Sequence, residues 1–478
     1  MRHHRITGVR CVVPTVGRLT VAGAMVFAVL AGTVVPATAQ PVASAQAGPA
    51  RTADAVVSAY YGKRWFLGRL PRSAVTADPT RPAIKIGLIN QEETPLGSYP
   101  EVRVAIQAAA AWVNAELGGV DGRPVEIVPC ITRFDPQQSR ACAERLADEG
   151  VVAFVGGVDV MSNASIPVVE QRGLVLIGGI PATLAEQRSP AAFAFSGGDP
   201  GALAAFMADA DRAGARRVVL AYGAEVDSFA VAANDYGAAV GRSLGLQVDV
   251  VPYPILTSDF GPLMRDTEDR GADAVMVLAA TSACVPVMRA ARAARLEARL
   301  YLTGACAADD IVAAAGPAAR GVVFNAEGRV DGASTDAALY ADVVDRYATA
   351  PAGGAGTVGF RGFMNLYALA REAGGANVTS ARLAALARAA AGRRSFWGHP
   401  YTCDGRQVPG LPALCAPQQV LFERTADGKI TARTGWIATD RLFAGARPAA
   451  RDLVGRWAHY DVVAYEDGTL KTLIVSYG

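Results

Sequence analysis

Side chains that commonly perform acid–base or nucleophilic catalysis are scarce in this chain of 478 residues. It contains four histidines, and only His399 and His459 lie beyond the N-terminal segment that we interpret below as an export signal. The glycine-rich stretch 353–356 follows a predicted helix, whereas a phosphate-binding loop would follow a strand. Paired carboxylates such as Glu92 and Glu93 are ordinary on solvated loops. The sequence therefore predicts no catalytic residues, no metal site and no cofactor.

Small and hydroxylated side chains, by contrast, recur where predicted strands end. In open parallel sheets, ligands bind beyond the carboxyl ends of the strands, where loops and helix N-termini converge. Hydroxyl groups and free backbone amides at those places suit a carboxylate or another polar group. Any one of these residues could instead cap a helix, but their combined placement favours a binding site. The candidate ligand-binding residues are Glu92, Thr94, Ser162, Asn163, Gly179, Thr183, Asp227, Phe229, Ser282 and Ala305.

A regular alternation of apolar runs and amphipathic segments must position these loops. Apolar runs at 84–89, 217–221 and 274–278 predict buried strands, and helical periodicity separates them, for example at 101–117. Strands that alternate with helices predict parallel sheets with right-handed crossovers, covered by helices on both faces. The pattern occurs in two successive blocks, so the predicted fold class is α/β with two Rossmann-like lobes. Paired strand patterns near the C-terminus predict a β-hairpin tail.

Length and charge restrict the class of protein further. A chain of 478 residues is too long for one ordinary hydrophobic core, which favours two domains with accessory segments. Its 46 basic and 44 acidic residues nearly cancel. A nucleic-acid-binding protein would mass its basic residues on one face or strip. We therefore expect no nucleic-acid partner.

The N-terminus has the composition of a targeting segment. Arginines precede an uncharged apolar run at 19–35, and Ala37-Thr38-Ala39 offers a cleavage site before Gln40. An uncleaved membrane anchor is the alternative, although the run is short for a membrane span. We predict that residues 1–39 are a signal peptide and that the protein is extracytoplasmic. It would then contact the membrane only through a partner or through an uncleaved signal.

The cysteines agree with an oxidising compartment. Beyond Cys11, six cysteines fall as three close pairs, which predicts neighbour pairing among the fifteen pairings that are possible. A metal site is the alternative, but the sequence contains no C-x-x-C. The predicted disulfides are Cys130–Cys142, Cys284–Cys306 and Cys403–Cys415.

Several short phrases, taken in order, resemble the branched-chain amino-acid type of ABC-transporter substrate-binding proteins, particularly the actinobacterial members. The resemblance covers about residues 84–439, and each phrase alone is weakly specific. The segments that carry it are 118–125, 135–136, 155–157, 259–260, 271–275 and 400–405.

This resemblance implies two lobes joined by three crossover strands, a ligand in the cleft and closure about a hinge. It suggests a first lobe at 83–199 plus 326–395 and a second lobe at 200–325 plus 396–440. An N-terminal arm at 40–82 and a C-terminal β extension at 441–478 then remain outside the lobes.

The family also suggests roles for particular residues. Its members hold the ligand's carboxylate with hydroxyls and amides after the third and fourth strands, here near Ser162-Asn163 and at 179–183. Amino-acid binders usually place a carboxylate after the last strand of the second lobe, where this sequence has Gly304-Ala305-Cys306. An amino acid, an amide, an organic acid and an aromatic compound therefore all remain open as the ligand.

We expect an extracytoplasmic solute-binding protein that captures a small polar molecule, an amino acid or a related compound, between two lobes. An ABC permease would be its partner. The alternative is a ligand-sensing or partner-binding protein of the same fold, because the arm, the tail and the missing lipid-accepting cysteine depart from a typical transporter subunit.

Overall fold

The computed structural model describes residues 64–94, 97–328, 334–424, 429–446, 459–464 and 470–475. These residues belong to one compact unit that spans 52–478. The predicted signal peptide and the arm residues before Arg64 lie outside the described residues. Among the helices that are described, none is long and apolar enough to cross a membrane.

The strands form two large sheets and two hairpins. In chain order they are β1 (Arg64–Trp65), β2 (Gly68–Arg69), β3 (Ile84–Gln91), β4 (Val125–Thr132), β5 (Ala153–Gly156), β6 (Leu176–Ile177), β7 (Ala192–Phe193), β8 (Arg217–Gly223), β9 (Gln247–Tyr253), β10 (Ala274–Leu278), β11 (Arg299–Leu302), β12 (Val323–Ala326), β13 (Val420–Arg424), β14 (Ile430–Ala432), β15 (His459–Ala464) and β16 (Leu470–Val475). The first sheet has the order β4-β3-β5-β6-β7 and is parallel throughout.

The second sheet has the order β14-β13-β12-β11-β10-β8-β9. Strands β8 to β12 are mutually parallel, and β13 and β14 add an antiparallel edge. Strands β15 and β16 form the antiparallel hairpin predicted for the tail. Two parallel sheets in two successive blocks confirm the predicted α/β class.

Helices up to residue 315 connect successive strands, as the sequence pattern predicts, whereas three more described helices lie between β12 and the antiparallel β13 and another follows β14. They are α1 (Pro100–Glu116), α2 (Pro136–Asp148), α3 (Ile166–Gln171), α4 (Leu184–Arg188), α5 (Gly198–Arg212), α6 (Asp227–Val231), α7 (Ala238–Ser243), α8 (Gly261–Asp269), α9 (Cys284–Ala294), α10 (Asp309–Ala315), α11 (Thr335–Tyr347), α12 (Gly356–Ala373), α13 (Ser380–Arg388) and α14 (Thr439–Gly445). A π-helical turn at Ala232–Gly237 joins α6 to α7. The short helices α4, α10 and α14 have no clear periodicity in the sequence because each is at most seven residues long.

Local chemistry fixes where the helices begin and end. Asp135 begins α2 by accepting hydrogen bonds from the backbone N–H groups of Gln137 and Gln138. After α1 the chain turns at Gly119, whose φ is +61° and where an added Cβ would lie 2.1 Å from the carbonyl oxygen of Arg123. Only glycine fits that turn.

Each sheet has apolar cores on its faces. In the first sheet, Ile86 and Leu88 pack with helices α1 and α12, while Phe154 packs with Leu146 of α2 on the other face. The second sheet likewise has one core beneath α5 and another beneath α9. The arm adds Trp65, which is 7% exposed, to the first core. Its indole Nε1 donates to Asp336 at 2.9 Å, so the described part of the arm is docked on the first lobe.

Three chain segments cross between the two sheets. They follow β7, β12 and α13, and the third contributes Phe396 and Tyr401 to the core of the first lobe. The same segment contributes Val408 and Leu411 to the core of the second lobe. Residues 396–416, which the resemblance suggests as part of the second lobe, thus pack against both.

Glu327 lies where the crossovers meet. Its carboxylate accepts hydrogen bonds from Ser196 and from the Gly197 backbone N–H in the first crossover, and from Gln419 after the third. Arg361 of α12 pairs with the same carboxylate and also donates to the Glu327 carbonyl at 2.7 Å. The side chains of Arg361 and Glu327 are only 6% and 14% exposed, so this is a buried ion pair at the junction of the lobes.

All three predicted disulfides are confirmed. Their S–S distances are 2.00 Å for Cys130–Cys142, 2.02 Å for Cys284–Cys306 and 2.09 Å for Cys403–Cys415. The first ties β4 to α2, and the second ties the start of α9 to the turn after β11. The third closes a loop within the last crossover.

Replacing Arg361 with methionine should lower the free energy of unfolding by about 3–5 kcal/mol, because Glu327 would remain buried without its counterion. Chemical denaturation measures the change. The matched control is Arg140→Met, which breaks an exposed pair with Glu144 and should cost at most about 0.5 kcal/mol. Equal losses in the two variants would contradict a structural role for the buried pair.

Candidate functional site

The loops that follow the strands of the two sheets meet each other across an interlobe cleft. The hydroxyl groups of Tyr99, after β3, and Thr281, after β10, lie 2.7 Å apart. The Ser228 hydroxyl, after β8, donates to the carbonyl of Ala182, after β6, at 2.8 Å. Because these bonds join loops at the carboxyl ends of both sheets, the chain is in a closed conformation.

A buried carboxylate forms the floor of the cleft on the first lobe. Asp159 accepts hydrogen bonds from Thr132 at 3.1 Å, from Ser139 at 2.6 Å and from the Met161 backbone N–H at 3.1 Å. Burial raises the pKa of Asp159 despite these bonds. The three donors come from β4, α2 and the loop after β5, so Asp159 holds three elements in one arrangement.

Two of the predicted ligand-binding hydroxyls lie beside this floor. Ser162 and Thr183 are 2% and 4% exposed, and their hydroxyl oxygens are 2.7 Å apart. Thr183 also begins α4 in a capping box with Glu186. In the closed conformation the two hydroxyls therefore form a hydrogen bond with each other.

Glu186 is a second buried carboxyl group beneath the hydroxyls. Burial and the nearby charge of Asp159 raise the pKa of Glu186 to about 8, so it carries a proton at neutral pH. A cavity of about 20 Å³ lies between these groups, enough for one water molecule. Its lining includes Asp159, Ser162, Ser165, Ile166 and Glu186.

Glu92 is buried at the end of β3 and bound to its own side of the cleft. Arg103 donates to both carboxylate oxygens at 2.8 Å, and Asn90 donates at 3.1 Å. Burial alone would raise the pKa of Glu92, but the bonds from Arg103 and Asn90 hold it below its ordinary value. Glu92 is thus an ionised carboxylate with its counterion in place. Thr94 follows it and is half-buried.

The second lobe presents smaller groups. Asp227 is exposed in the first turn of α6, and Phe229 is half-buried against the core of that lobe. Ser282 and Ala305 are exposed in the turns after β10 and β11. The Cys284–Cys306 disulfide links those two turns, so it fixes the spacing of the candidate residues on either side.

The structure separates the first-lobe candidates by role. Asn163 is exposed, and its side-chain oxygen accepts the Ala185 backbone N–H at 3.3 Å, which places it beside Ser162 and Thr183. Gly179 is buried with φ +85°, and an added Cβ would lie 2.6 Å from the Cα of Gly156. Only glycine at position 179 allows the two backbone segments to pack this closely.

Sequence reasoning did not select several residues of the cleft. Tyr99, Asp159, Glu186 and Asp199 occupy it, yet only Asp159 lies within the loop segments that the strand ends define. Glu186 follows Thr183 at the spacing of a capping box, which is a local signal for a helix start but not for a ligand site. Tyr99 and Asp159 bind partners that are distant in sequence, so a local pattern carries no signal for them.

Two short motifs that are typical of enzymes lack the required context. Residues 241–245 read G-x-S-x-G, but Ser243 ends α7 and donates to the carbonyl of Val240 at 2.7 Å. A nucleophile elbow would lie between a strand and a helix. Residues 354–359 read G-x-G-x-x-G and begin α12 after a loop rather than after a strand. Neither motif forms a catalytic or phosphate-binding turn.

A second concavity, of about 300 Å³, opens on the first lobe. Leu174 and Val175 line it just before β6, and Pro190 and Ala191 line it just before β7. It therefore lies at the amino ends of these strands, opposite the cleft.

Replacing Tyr99 with phenylalanine should weaken the closed conformation. Loss of one hydrogen bond across the cleft costs about 0.5–1.5 kcal/mol, which shifts the closed-to-open ratio roughly two- to tenfold. Small-angle scattering should show a larger radius of gyration. Tyr347→Phe is the control, since that hydroxyl donates to Glu116 within the first lobe; the same expansion in both variants would contradict the assignment.

Replacing Glu186 with glutamine should make stability less dependent on pH. The unfolded carboxyl has its ordinary pKa of 4.5, whereas the folded one has a pKa of about 8. The folded state thus binds more protons between these values, and wild-type stability falls as pH rises, by at most about 1.4 kcal/mol per unit. The glutamine side chain still accepts the Thr183 N–H. The variant should therefore become more stable relative to wild type as pH rises through that window.

Chemical denaturation from pH 5 to 8 measures this difference. Glu144→Gln, in α2, is the control, since its side chain is 43% exposed, and it should run parallel to wild type. A Glu186→Gln profile that also runs parallel to wild type would show that Glu186 holds no proton in the folded state.

Comparison with known proteins gives both a family and fold relatives. The family described as periplasmic binding protein matches residues 83–408. No curated protein sequence is significantly similar to this chain.

Three solved structures illustrate the likeness. A leucine-binding protein from Thermotoga maritima has 20% identity and a TM-score of 0.62, over 74% of this chain and 98% of that one. A fatty-acid ABC-transporter substrate-binding protein from Thermomonospora curvata has 17% identity and a TM-score of 0.65, over 77% and 96%.

A solute-binding protein from R. palustris in complex with 4-hydroxybenzoate has 20% identity and a TM-score of 0.63, over 74% and 96% of the two chains. At these identities the structures show a shared fold. The family match covers most of both lobes, and the cleft lies where their strands end. The chain therefore belongs to the periplasmic binding protein family.

Proposed function

We propose that this protein is an extracytoplasmic solute-binding protein that captures a small polar molecule in the interlobe cleft and presents it to an ABC permease. The observation that carries this proposal is the closed cleft itself. The carboxyl ends of two sheets oppose each other, hydrogen bonds of Tyr99 and Ser228 join the lobes across the cleft, and three crossovers form a hinge. Such an arrangement can open and close around a solute.

The relatives support a solute rather than a reaction. The similar structures are described as binding leucine, a fatty acid or 4-hydroxybenzoate, and they are transporter components. We infer from this range that the fold accommodates different ligands through its loops. A role without catalysis agrees with the family and with the context of the two enzyme-like motifs.

We assign ligand contacts on both lobes. On the first lobe, Ser162, Asn163 and Thr183 would supply hydroxyl and amide groups, with Thr94 near the rim. On the second, Asp227, Phe229 and Ser282 would meet the ligand, and Ala305 would leave space. Glu92 would act through Arg103 by shaping the first loop, and Gly179 by permitting the close approach of two strand ends.

An extracytoplasmic location is supported by the three disulfides, which form readily in oxidising compartments. The predicted signal peptide at 1–39 would direct export.

The arm supports the ligand-sensing alternative because it connects to a crossover. Trp65 of the arm donates to Asp336, and Asp336 also accepts the Trp397 backbone N–H of the third crossover at 2.7 Å. A permease that co-purifies with the protein and is stimulated by it would favour transport.

A bound solute should stabilise the oxidised protein 40–478 and compact it. At a ligand concentration a hundredfold above Kd, the expected gain is about 2.7 kcal/mol. Thermal shift against amino acids, amides, amines, organic acids and aromatic compounds identifies the binder, and calorimetry should give one site per chain. Ser162→Ala should weaken binding about tenfold, whereas Ser243→Ala, at the end of α7, should not. A folded protein that no compound stabilises would contradict the proposal.

A further inference from the structure

Nine described segments that face the cleft carry nine carboxyl groups and no basic side chain. The segments 90–94, 97–99, 157–165, 178–183, 194–199, 223–229, 279–283, 303–310 and 325–328 contain no lysine or arginine. Their carboxyl groups are Glu92, Glu93, Asp159, Asp199, Glu225, Asp227, Asp309, Asp310 and Glu327. The chain as a whole has a net charge of +2, so this one-sided charge is a property of the cleft.

The arginines that reach these loops from neighbouring elements are already paired. Arg103 binds Glu92 and Arg133 binds Glu93. Arg361 binds Glu327, and Arg424 binds Asp309 at 2.7 Å. Each of these guanidinium groups neutralises a carboxylate of the protein, so none of them is left to neutralise an anionic ligand.

Other carboxyl groups have no such partner. Asp199, in the first turn of α5, makes no hydrogen bond or ion pair within the described part of the chain, and Asp227 is exposed at the start of α6. Burial, with the nearby charge of Glu327, raises the pKa of Asp199 to about 7. On the opposite side of the cleft, burial together with the charge of Asp310 raises the pKa of Glu101. A bound cation would lower the pKa of both groups and favour their charged forms, whereas a bound anion would raise it further.

Buried glutamines give a second, independent indication. Gln187 is 1% exposed and Gln91 is wholly buried, and the side-chain oxygen of each has no hydrogen-bond partner among the described residues. Their nitrogens donate to the carbonyls of Pro181 at 2.9 Å and Gly97 at 2.7 Å, which fixes the orientation of both amides. Both oxygens are acceptors that require a donor.

The Gln187 amide lies beside the chain segment that carries Asp199. The side-chain nitrogen of Gln187 is 3.8 Å from the position that a Cβ on Gly198 would occupy, and Gly198 precedes Asp199. The Pro181 carbonyl that it binds belongs to the cleft loop after β6. A carboxylate and an orphan acceptor thus occur together at the hinge end of the cleft.

We propose that the ligand is a small organic cation with several N–H donors, an amine or a guanidinium compound, whose charge binds at Asp199. This inference rests on the proposed function and names its ligand class. A carboxylic acid would meet Asp159 beneath the Ser162–Thr183 hydroxyls and no unpaired cation among the described cleft residues. A cation instead stabilises the ionised form of Asp199 and supplies the donors that the glutamine oxygens lack.

Calorimetry of the oxidised protein 40–478 with matched compounds tests the charge preference. The pairs are agmatine with N-butylurea, arginine with citrulline, and benzamidine with benzamide, with benzoate and leucine as further probes. The cationic member of at least one pair should bind tenfold or more tightly than its neutral counterpart. Its affinity should fall as sodium chloride rises from 20 to 300 mM, because salt screens the attraction.

Asp199→Asn should weaken the selected cation at least tenfold while the melting temperature of the free protein changes little. Asp211→Asn is the control, since Asp211 is exposed at the other end of the same helix and should leave affinity unchanged. Unchanged affinity in Asp199→Asn would overturn the assignment of the charge to Asp199.

Two other outcomes separate this inference from the proposed function. Tight one-to-one binding of benzoate, leucine or a neutral amide, with no cation bound, would overturn the cation inference and uphold the solute-binding function. A folded protein that binds no compound of any charge would overturn both.

Discussion

The buried pair between Glu327 and Arg361 is the interaction on which the two-lobed architecture depends. A carboxylate removed from water is costly unless a counterion and hydrogen bonds replace its hydration. Glu327 obtains them from all three crossovers or their flanks and from α12 of the first lobe. Because these separate segments all donate hydrogen bonds to one carboxylate, they must lie close together in the folded chain. The place where they meet is the hinge of the molecule.

A hinge of this kind keeps the free-energy difference between the open and closed conformations small. The described hydrogen bonds across the cleft include Tyr99 to Thr281 and Ser228 to Ala182, each worth about 1 kcal/mol net. Apolar cores lie within the lobes, so opening exposes little of them. A ligand therefore needs to contribute only a modest difference in affinity between the closed and open states to shift the population.

Local sequence patterns predicted most of this fold because they record which face of each element is buried. The run 274–278 becomes β10 at the same residues, and the three neighbouring cysteine pairs form disulfides. The site was less accessible from sequence. Ser162 and Thr183 could be selected from their place after strands, but Glu186 acquires its proton from burial and from Asp159. Those effects exist only after distant segments pack together, so the spacing of residues in the sequence does not indicate them.

The ligand class, too, depends on the surroundings of each residue in the folded chain and not on the local sequence alone. Serine and threonine hydroxyls both donate and accept hydrogen bonds, so Ser162 and Thr183 suit an anion or a cation when read from sequence. In the folded chain, Asp159 and Glu186 lie beneath them and Glu327 lies near Asp199. The raised pKa values of Asp159 and Glu186 indicate that a further negative charge is unfavourable there, so the hydroxyls are better acceptors for a ligand's N–H groups than donors to a carboxylate. The fold supplies the cleft, and the carboxyl groups buried around it select the charge of what binds there.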